Sequence, residues 1–256
     1  MTVLLEAESL YFSWDHRGSG WFQNLNLSLE TGHIYGLMGR NGAGKTTLLK
    51  LLMGCLKPSA GNIRTSSAQG KVESFIRSPD SLSETVFVAE NSELPNMTAF
   101  KLGEHAGRLY PRFSLSQYGD HLKALEVRSD QSLPSLSFGQ RRKAHIAFAL
   151  ATNASMIFLD EPSNGLDVAA QIVLRKLLIA QAGDTRSIVV STHHVREFET
   201  VIDRMIVLDQ GRILANEMTE NLAAEPNFKD LETWYAQKIG VNTSSYVPKG
   251  VQHEDI

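Results

Sequence analysis

The chain has 256 residues, 42% of them hydrophobic and 21% charged, and its 25 Lys+Arg against 28 Asp+Glu leave a formal charge of −3. These values lie near globular averages and exclude a disordered, collagen-like or coiled-coil chain, and the length fits one α/β domain that carries an insertion and a tail. The slightly acidic balance gives no global field for nucleic acid or an anionic membrane, and no nucleic acid partner is expected. The single cysteine, Cys55, cannot form an intrachain disulfide. Residues 1–6 lack the basic and apolar regions of a secretion signal, and no apolar run approaches the roughly 18 residues of a membrane helix. The cytosol is the expected compartment, and any membrane role must go through a partner.

In chain order, residues 25–29 alternate with period two, and a Thr31-Gly32 turn leads into Ile34–Met38, an apolar run of buried-strand length. Gly39-Arg40-Asn41-Gly42-Ala43-Gly44-Lys45-Thr46 follows at once and fits G-x-x-x-x-G-K-[ST]. After it, Leu48, Leu49, Leu51, Leu52 and Met53 lie on a helix that Gly54 can end, and Cys55 beyond it reads as a packing residue. Strand, glycine loop and helix form the context that separates a phosphate-binding loop from a plain glycine turn. Glycines let successive N–H groups converge on phosphate oxygens, and the helix N-terminus adds partial positive charge. Lys45 then reaches the β and γ phosphates, and the Thr46 hydroxyl is available to Mg²⁺.

From about 97 to 153 the composition turns helical. Stretches 98–110, 115–126 and 139–152 are separated by Pro111 and by Ser132-Leu133-Pro134-Ser135, which predicts an inserted helical subdomain. Runs 156–159 and 188–190 are apolar and too short for helices, and a helical segment at 169–182 lies between them, as in a βαβ unit of a parallel sheet. Residues 205–208 and 212–214 around Gly211 predict a hairpin at which the sheet ends, and 227–239 is a candidate amphipathic helix. The polar stretch 240–256 is expected to be mobile. The run at 156–159 ends in Asp160-Glu161. Side chains alternate along a strand, so the two carboxylates should point apart and hold separate tasks. Asp160 would hold Mg²⁺ through its water shell, and Glu161 would polarise a water for in-line attack on the γ-phosphate. An apolar strand ending in Asp-Glu is by itself commonly a solvated strand end; the upstream glycine loop gives it chemical meaning.

With these motifs in this order, the chain resembles the nucleotide-binding subunits of ABC transporters over about residues 4–220. Leu136-Ser137-Phe138-Gly139-Gln140 looks like the family signature L-S-G-G-Q, with Phe138 at its third position. Asn164-Gly165-Leu166-Asp167 resembles the D-loop, Ser191-Thr192-His193 the switch-histidine segment, and Leu10-Tyr11-Phe12-Ser13-Trp14 the L-x-[FY]-x-Y segment. The resemblance implies an α/β P-loop NTPase core with a mostly parallel sheet, an N-terminal antiparallel β subdomain and an inserted helical subdomain at about 97–153. The ATP-binding domain would span 1–220, followed by a C-terminal helix and tail at 221–256. Residues Gly39, Arg40, Asn41, Gly42, Ala43, Gly44, Lys45, Thr46 and Thr47 would then hold ATP phosphates. Glu161, His193 and Lys45 would carry the hydrolysis of ATP. Trp14 would stack on adenine, with Tyr11 as the alternative, because stacking needs only a flat face. Ser137, Gly139, Gln140 and Asp167 would serve the ATP held by an opposite subunit. Mg²⁺ would be held by Thr46, Asp160 and Glu90, and Glu90 stands where the family usually has Gln, adding negative charge beside the triphosphate. Implied partners are a second ATP-binding subunit, identical or not, and integral membrane transporter subunits that would place the chain on the inner face of the membrane. The segment 35–44 and the compact insert look most like the drug or polypeptide export branch. The alternative reading is a soluble regulatory or translation-associated ABC ATPase, although the tandem cassettes, charged linker and long coiled coil of such proteins are missing from this sequence.

Overall fold

A computed structural model describes residues 3–14, 20–66, 72–74, 79–91 and 93–241. The polar stretch from 242 onward lies outside the described residues. β1 (Val3–Phe12) and β2 (Phe22–Glu30) form an antiparallel pair, and β3 (Ile34–Met38) is buried along its whole length. The loop after β3 leads into α1 (Lys45–Leu52), whose N-cap Gly44 has φ 104, a left-handed conformation that L-residues avoid. A Cβ at Gly44 would also stand 2.4 Å from Trp21 Nε1. Backbone conformation and crowding both require glycine here. Leu48, Leu49, Leu51 and Leu52 are all fully buried because α1 lies between two sheets. Cys55 is exposed, against the expectation that it packs. Gly54 at φ 63 reverses the chain, and the Cys55 N–H donates to Lys50 O at 2.8 Å, which closes the helix end and turns the thiol outward. β4 (Ala60–Ser66) and β5 (Val72–Ser74) complete a four-stranded antiparallel sheet in the order β2-β1-β4-β5.

The short α2 (Pro79–Ser83) precedes β6 (Thr85–Val88). α3 (Ala99–Ala106) is capped by Thr98, which accepts from the Lys101 N–H at 3.2 Å. It is shorter than the predicted 98–110 because the chain tightens into a 3₁₀ turn at Gly107–Leu109. α4 (Leu115–Ala124) is capped by Ser114, and α5 (Phe138–Ala151) by Ser137. Leu102, Tyr118, Leu122 and Phe148 from these helices share a core of their own, with Tyr118 and Phe148 edge to face at 5.8 Å.

β7 (Met156–Asp160), α6 (Val168–Gln181) and β8 (Ser187–Thr192) form the expected βαβ unit, with β7 and β8 parallel. α7 (Val195–Phe198) is a single turn, and β9 (Arg204–Asp209) and β10 (Arg212–Met218) form the hairpin. Gln210 and Gly211 both have positive φ at its tip, as the tightest hairpin turn requires. The six-stranded sheet runs β10-β9-β3-β8-β7-β6, parallel except for β10, which is its edge. α8 (Thr219–Ala223) and α9 (Leu231–Lys238) follow. α9 is shorter than the predicted 227–239 because Asp230 accepts from Thr233 N at 2.6 Å and starts the helix there. Leu231, Trp234 and Tyr235 bury it against the sheet face that also holds α5 and α6. The β3–α1 loop thus opens at the C-terminal edge of the parallel strands, where ligands of open α/β sheets bind.

His145 on α5 has a buried Nδ1 with no hydrogen-bond partner, and burial, with a smaller contribution from Arg142, pushes its pKa down to about 4. Below the ordinary histidine pKa of about 6.5 the unfolded chain takes up a proton that the folded chain refuses, so acidification favours unfolding. At about pH 5 this histidine should lower stability by about 2 kcal/mol relative to pH 7.5. Urea unfolding at the two pH values should show a difference smaller by that amount in His145→Gln than in the wild type. An equal difference in both would mean that His145 titrates normally.

Candidate functional site

A cavity of about 620 Å³ opens over the glycine loop and is lined by residues 40–47 together with Trp14, Trp21, Glu90, Glu161, Asn164 and His193. Its volume falls in the range of small-molecule and cofactor sites. Gly39 contributes from beneath, its carbonyl accepting from Lys45 Nζ at 2.8 Å. The same Nζ pairs with Glu161 Oε1 at 3.2 Å, and Lys45 and Glu161 are 7% and 6% exposed. His193 Nδ1 lies 3.0 Å from each Glu161 carboxylate oxygen. Asp160 looks the other way, as alternation along the strand requires: its Oδ2 accepts from Thr46 Oγ1 at 2.7 Å and its Oδ1 from the Ser191 hydroxyl. Glu90, at the end of β6, accepts at Oε1 from Asn164 Nδ2 at 2.9 Å.

The parallel strands explain this convergence. β3 carries the glycine loop, β7 Asp160, β8 Ser191 and His193, and β6 Glu90, and all four end at the same edge. The cavity floor holds one buried cation against one buried carboxylate, a pair that an entering anion can separate by taking Lys45 for itself. The Thr46 hydroxyl and the Asp160 and Glu90 carboxylates offer only oxygen, which suits a hard divalent cation.

Trp14 lines the cavity, 66% exposed, with its ring edge-on to Phe12 at 5.1 Å; Tyr11 does not line it. Trp21, the second tryptophan of the lining, escapes sequence reasoning. It lies outside the aromatic segment that points to Trp14, and only the fold sets its indole against Gly44. Arg142 was equally invisible. It is 5% exposed and donates to the backbone carbonyls of Glu90, Asp160, Glu161 and Pro162.

Ser137, Gly139, Gln140 and Asp167 do not join the cavity. Ser137 caps α5 and accepts from Gln140 N at 3.3 Å. Asp167 caps α6, accepting from Ala170 N at 2.7 Å, and this bond chiefly holds its carboxyl below the ordinary range, aided by Lys143 Nζ at 3.4 Å. The two capped segments touch: a Cβ on Gly139 would stand 2.4 Å from Gly165 O, and Phe138, 45% exposed, lies against Gly165. Ser137, Phe138 and Asp167 therefore belong to a separate exposed surface on the same molecule.

A family model described as "ABC transporter" matches residues 22–164. An arabinose import ATP-binding protein, AraG 2 of Burkholderia thailandensis, is 34% identical over 73% of this chain, which spans 37% of that protein. Nod factor export ATP-binding protein I of Burkholderia orbicola is 32% identical over 75% of this chain, which spans 64% of it. The chain thus covers between about a third and two thirds of these curated relatives, one of them named for import and the other for export. Among solved structures, the ATP-binding subunit of an ABC transporter superposes with a TM-score of 0.80 at 22% identity, covering 92% of this chain and 99% of that one. At that identity the likeness is one of fold.

Proposed function

Because this chain belongs to the ABC transporter family, we propose that it is an ATP-binding, ATP-hydrolysing subunit that dimerises head to tail on ATP and powers separate membrane subunits. The observation that carries the reading is Lys45, held between Gly39 O and the Glu161 carboxylate on the floor of a nucleotide-sized cavity, with the Thr46–Asp160 hydrogen bond beside it.

ATP phosphates enter over residues 39–47, where backbone N–H groups and the α1 N-terminus face the anion, and Trp14 presents a flat ring to the adenine. Lys45 exchanges the Glu161 carboxylate for phosphate oxygens. Glu161 is then free to accept a proton from the attacking water, and His193, already against that carboxylate, keeps it oriented and reaches the γ-phosphate side. The oxygen set of Thr46, Asp160 and Glu90 fits Mg²⁺, since Thr46 and Asp160 are already in hydrogen-bond contact and could share one hydration shell. Mg²⁺ bound there would neutralise charge building on the phosphates in the transition state.

Ser137, Gly139, Gln140 and Asp167 do not line this chain's own cavity, so a second cassette is needed to bring a nucleotide onto them, and a two-fold arrangement completes two sites at once. Among the described residues no helix is long and apolar enough to cross a membrane. Attachment to the inner face of the membrane would then run through the partner subunits. Hydrolysis should require Mg²⁺, and Glu161→Gln protein should run as a dimer on light scattering when ATP is added. In that background Ser137→Arg should restore the monomer, because a guanidinium on the exposed cap collides with the partner's site. Monomers in both cases, with full hydrolysis by the wild type, would overturn the dimer. Membrane subunits should co-elute from detergent-solubilised membranes.

A further inference from the structure

Arg142 lies on the helix that Ser137 caps, yet its head group reaches the ends of two strands of the central sheet. Burying a guanidinium is unfavourable unless its donors are met. Its donors meet backbone carbonyls: Nε donates to Pro162 O at 3.3 Å, Nη1 to Glu90 O, and Nη2 to both Asp160 O and Glu161 O. Burial holds its pKa below the usual arginine value, opposed by the Glu90, Asp160 and Glu161 carboxylates. Arginine alone has donors in a rigid planar fork that can meet carbonyls on two separate segments at once; a lysine ammonium is a single point with three donors.

What Arg142 grips is unusual backbone. Glu161 has φ 47, a left-handed conformation unfavourable for a residue with a Cβ and maintained only where the surroundings over-determine it. One restraint is the Glu161 N–H, which donates to Ser191 O at 2.9 Å. Two further restraints are the Asn164 N–H, which donates to Glu161 O at 3.1 Å, and the Arg142 fork, which holds the carbonyls on both sides of that residue's Cα. The Glu161 side chain is held by Lys45 and His193. When Lys45 turns to phosphate, one of those two holds is released at the moment the carboxylate must be aimed, and the backbone decides where it points.

We propose that Arg142 is the positioning residue for Glu161: it keeps the peptide on either side of the base in its left-handed conformation and ties that geometry, together with Glu90, to the helix that begins at Ser137. The role rests on the reading of Glu161 as general base. It also makes base geometry depend on the placement of α5, whose N-terminal cap lies on the surface assigned to the second cassette.

The test uses the full chain with Arg142→Lys and Arg142→Ala. Misplacing a reacting group by about 1 Å can lower a rate by about 100-fold, so kcat should fall about 30-fold in Arg142→Lys and about 100-fold or more in Arg142→Ala. Affinity for a fluorescent ATP analogue should stay within about threefold of wild type in both, because the phosphate loop is untouched. Millimolar guanidinium should restore at least about tenfold of the lost rate in Arg142→Ala and do nothing for Glu161→Gln. Hydrolysis by Arg142→Lys within about threefold of wild type would overturn the proposal, as would a rate loss matched by an equal loss of nucleotide affinity. If Arg142→Ala does not fold, Arg142→Lys decides alone. A wild-type chain without ATPase activity would overturn the reading of Glu161, whereas an active wild type with an unaffected Arg142→Lys would overturn the role of Arg142 only.

Discussion

Glu161→Gln should hydrolyse ATP about 100- to 10,000-fold more slowly than the wild type, the range expected when a positioned general base is lost. The geometry adds a second expectation. Glu161 pairs with Lys45 at 3.2 Å and so competes with phosphate for it, and both side chains are buried. Glutamine removes that competitor, so ATP should bind to Glu161→Gln at least as tightly as to the wild type. Quenched-flow hydrolysis and equilibrium binding of a fluorescent ATP analogue, run on the same preparations, separate the two effects. A wild-type rate at saturating Mg²⁺ would remove Glu161 from the chemistry, and a rate loss that tracked lost affinity would make it a binding group.

Lys45→Ala should act on the other side of the same pair. Charge-assisted hydrogen bonds to phosphate are lost, which corresponds to about 10- to 100-fold weaker ATP binding at roughly 1.5–3 kcal/mol. The substitution also strands the Glu161 carboxylate, 6% exposed, with only His193 beside it. Removing one partner of a buried pair destabilises strongly, and with His193 still in contact a loss of about 2 kcal/mol is expected in the nucleotide-free state. The double variant Lys45→Ala, Glu161→Gln should be less destabilised than the sum of the single ones, since no uncompensated charge is left. Unchanged ATP affinity in Lys45→Ala would exclude Lys45 from the phosphate site, and additive stability losses would mean that the pair is not coupled.

Which elements are legible in the sequence depends on the range of the interactions that make them. Ile34–Met38, the glycine loop and the helix after it were legible because each is made by neighbours in sequence: an apolar run, residues that free the backbone, and a run of leucines. β1 and β4 show no clear strand pattern in the sequence. In β1 the alternation is broken where Ser9 takes φ 47 and the pairing with β2 slips between Ala7 and Leu10, so the apolar positions change parity within one strand. β4 contributes only Ile63 to the buried hydrophobic core, so a pattern of apolar residues had little to show there. The predicted helices 98–110 and 227–239 ran past their real ends, because a tightened turn at Gly107 and a cap at Asp230 are local choices that periodicity averages over.

Within the site, the sequence by itself determined the phosphate loop, the two carboxylates of β7 and their divergence, because these depend on backbone geometry within a few consecutive residues. It also placed helices at 139–152 and 169–182, whereas the caps that Ser137 and Asp167 form on them appear only in the structure. Only the tertiary structure decided that Thr46 meets Asp160, that Lys45 meets Glu161, that Asn164 holds Glu90, that Trp21 covers Gly44 and that Arg142 grips the backbone around Glu161. These partners lie on different strands and helices, and their meeting is set by the order β3-β8-β7-β6 and by the burial of α5 against that sheet. No short stretch of chain encodes that order, because it is a property of how all the apolar faces are buried together.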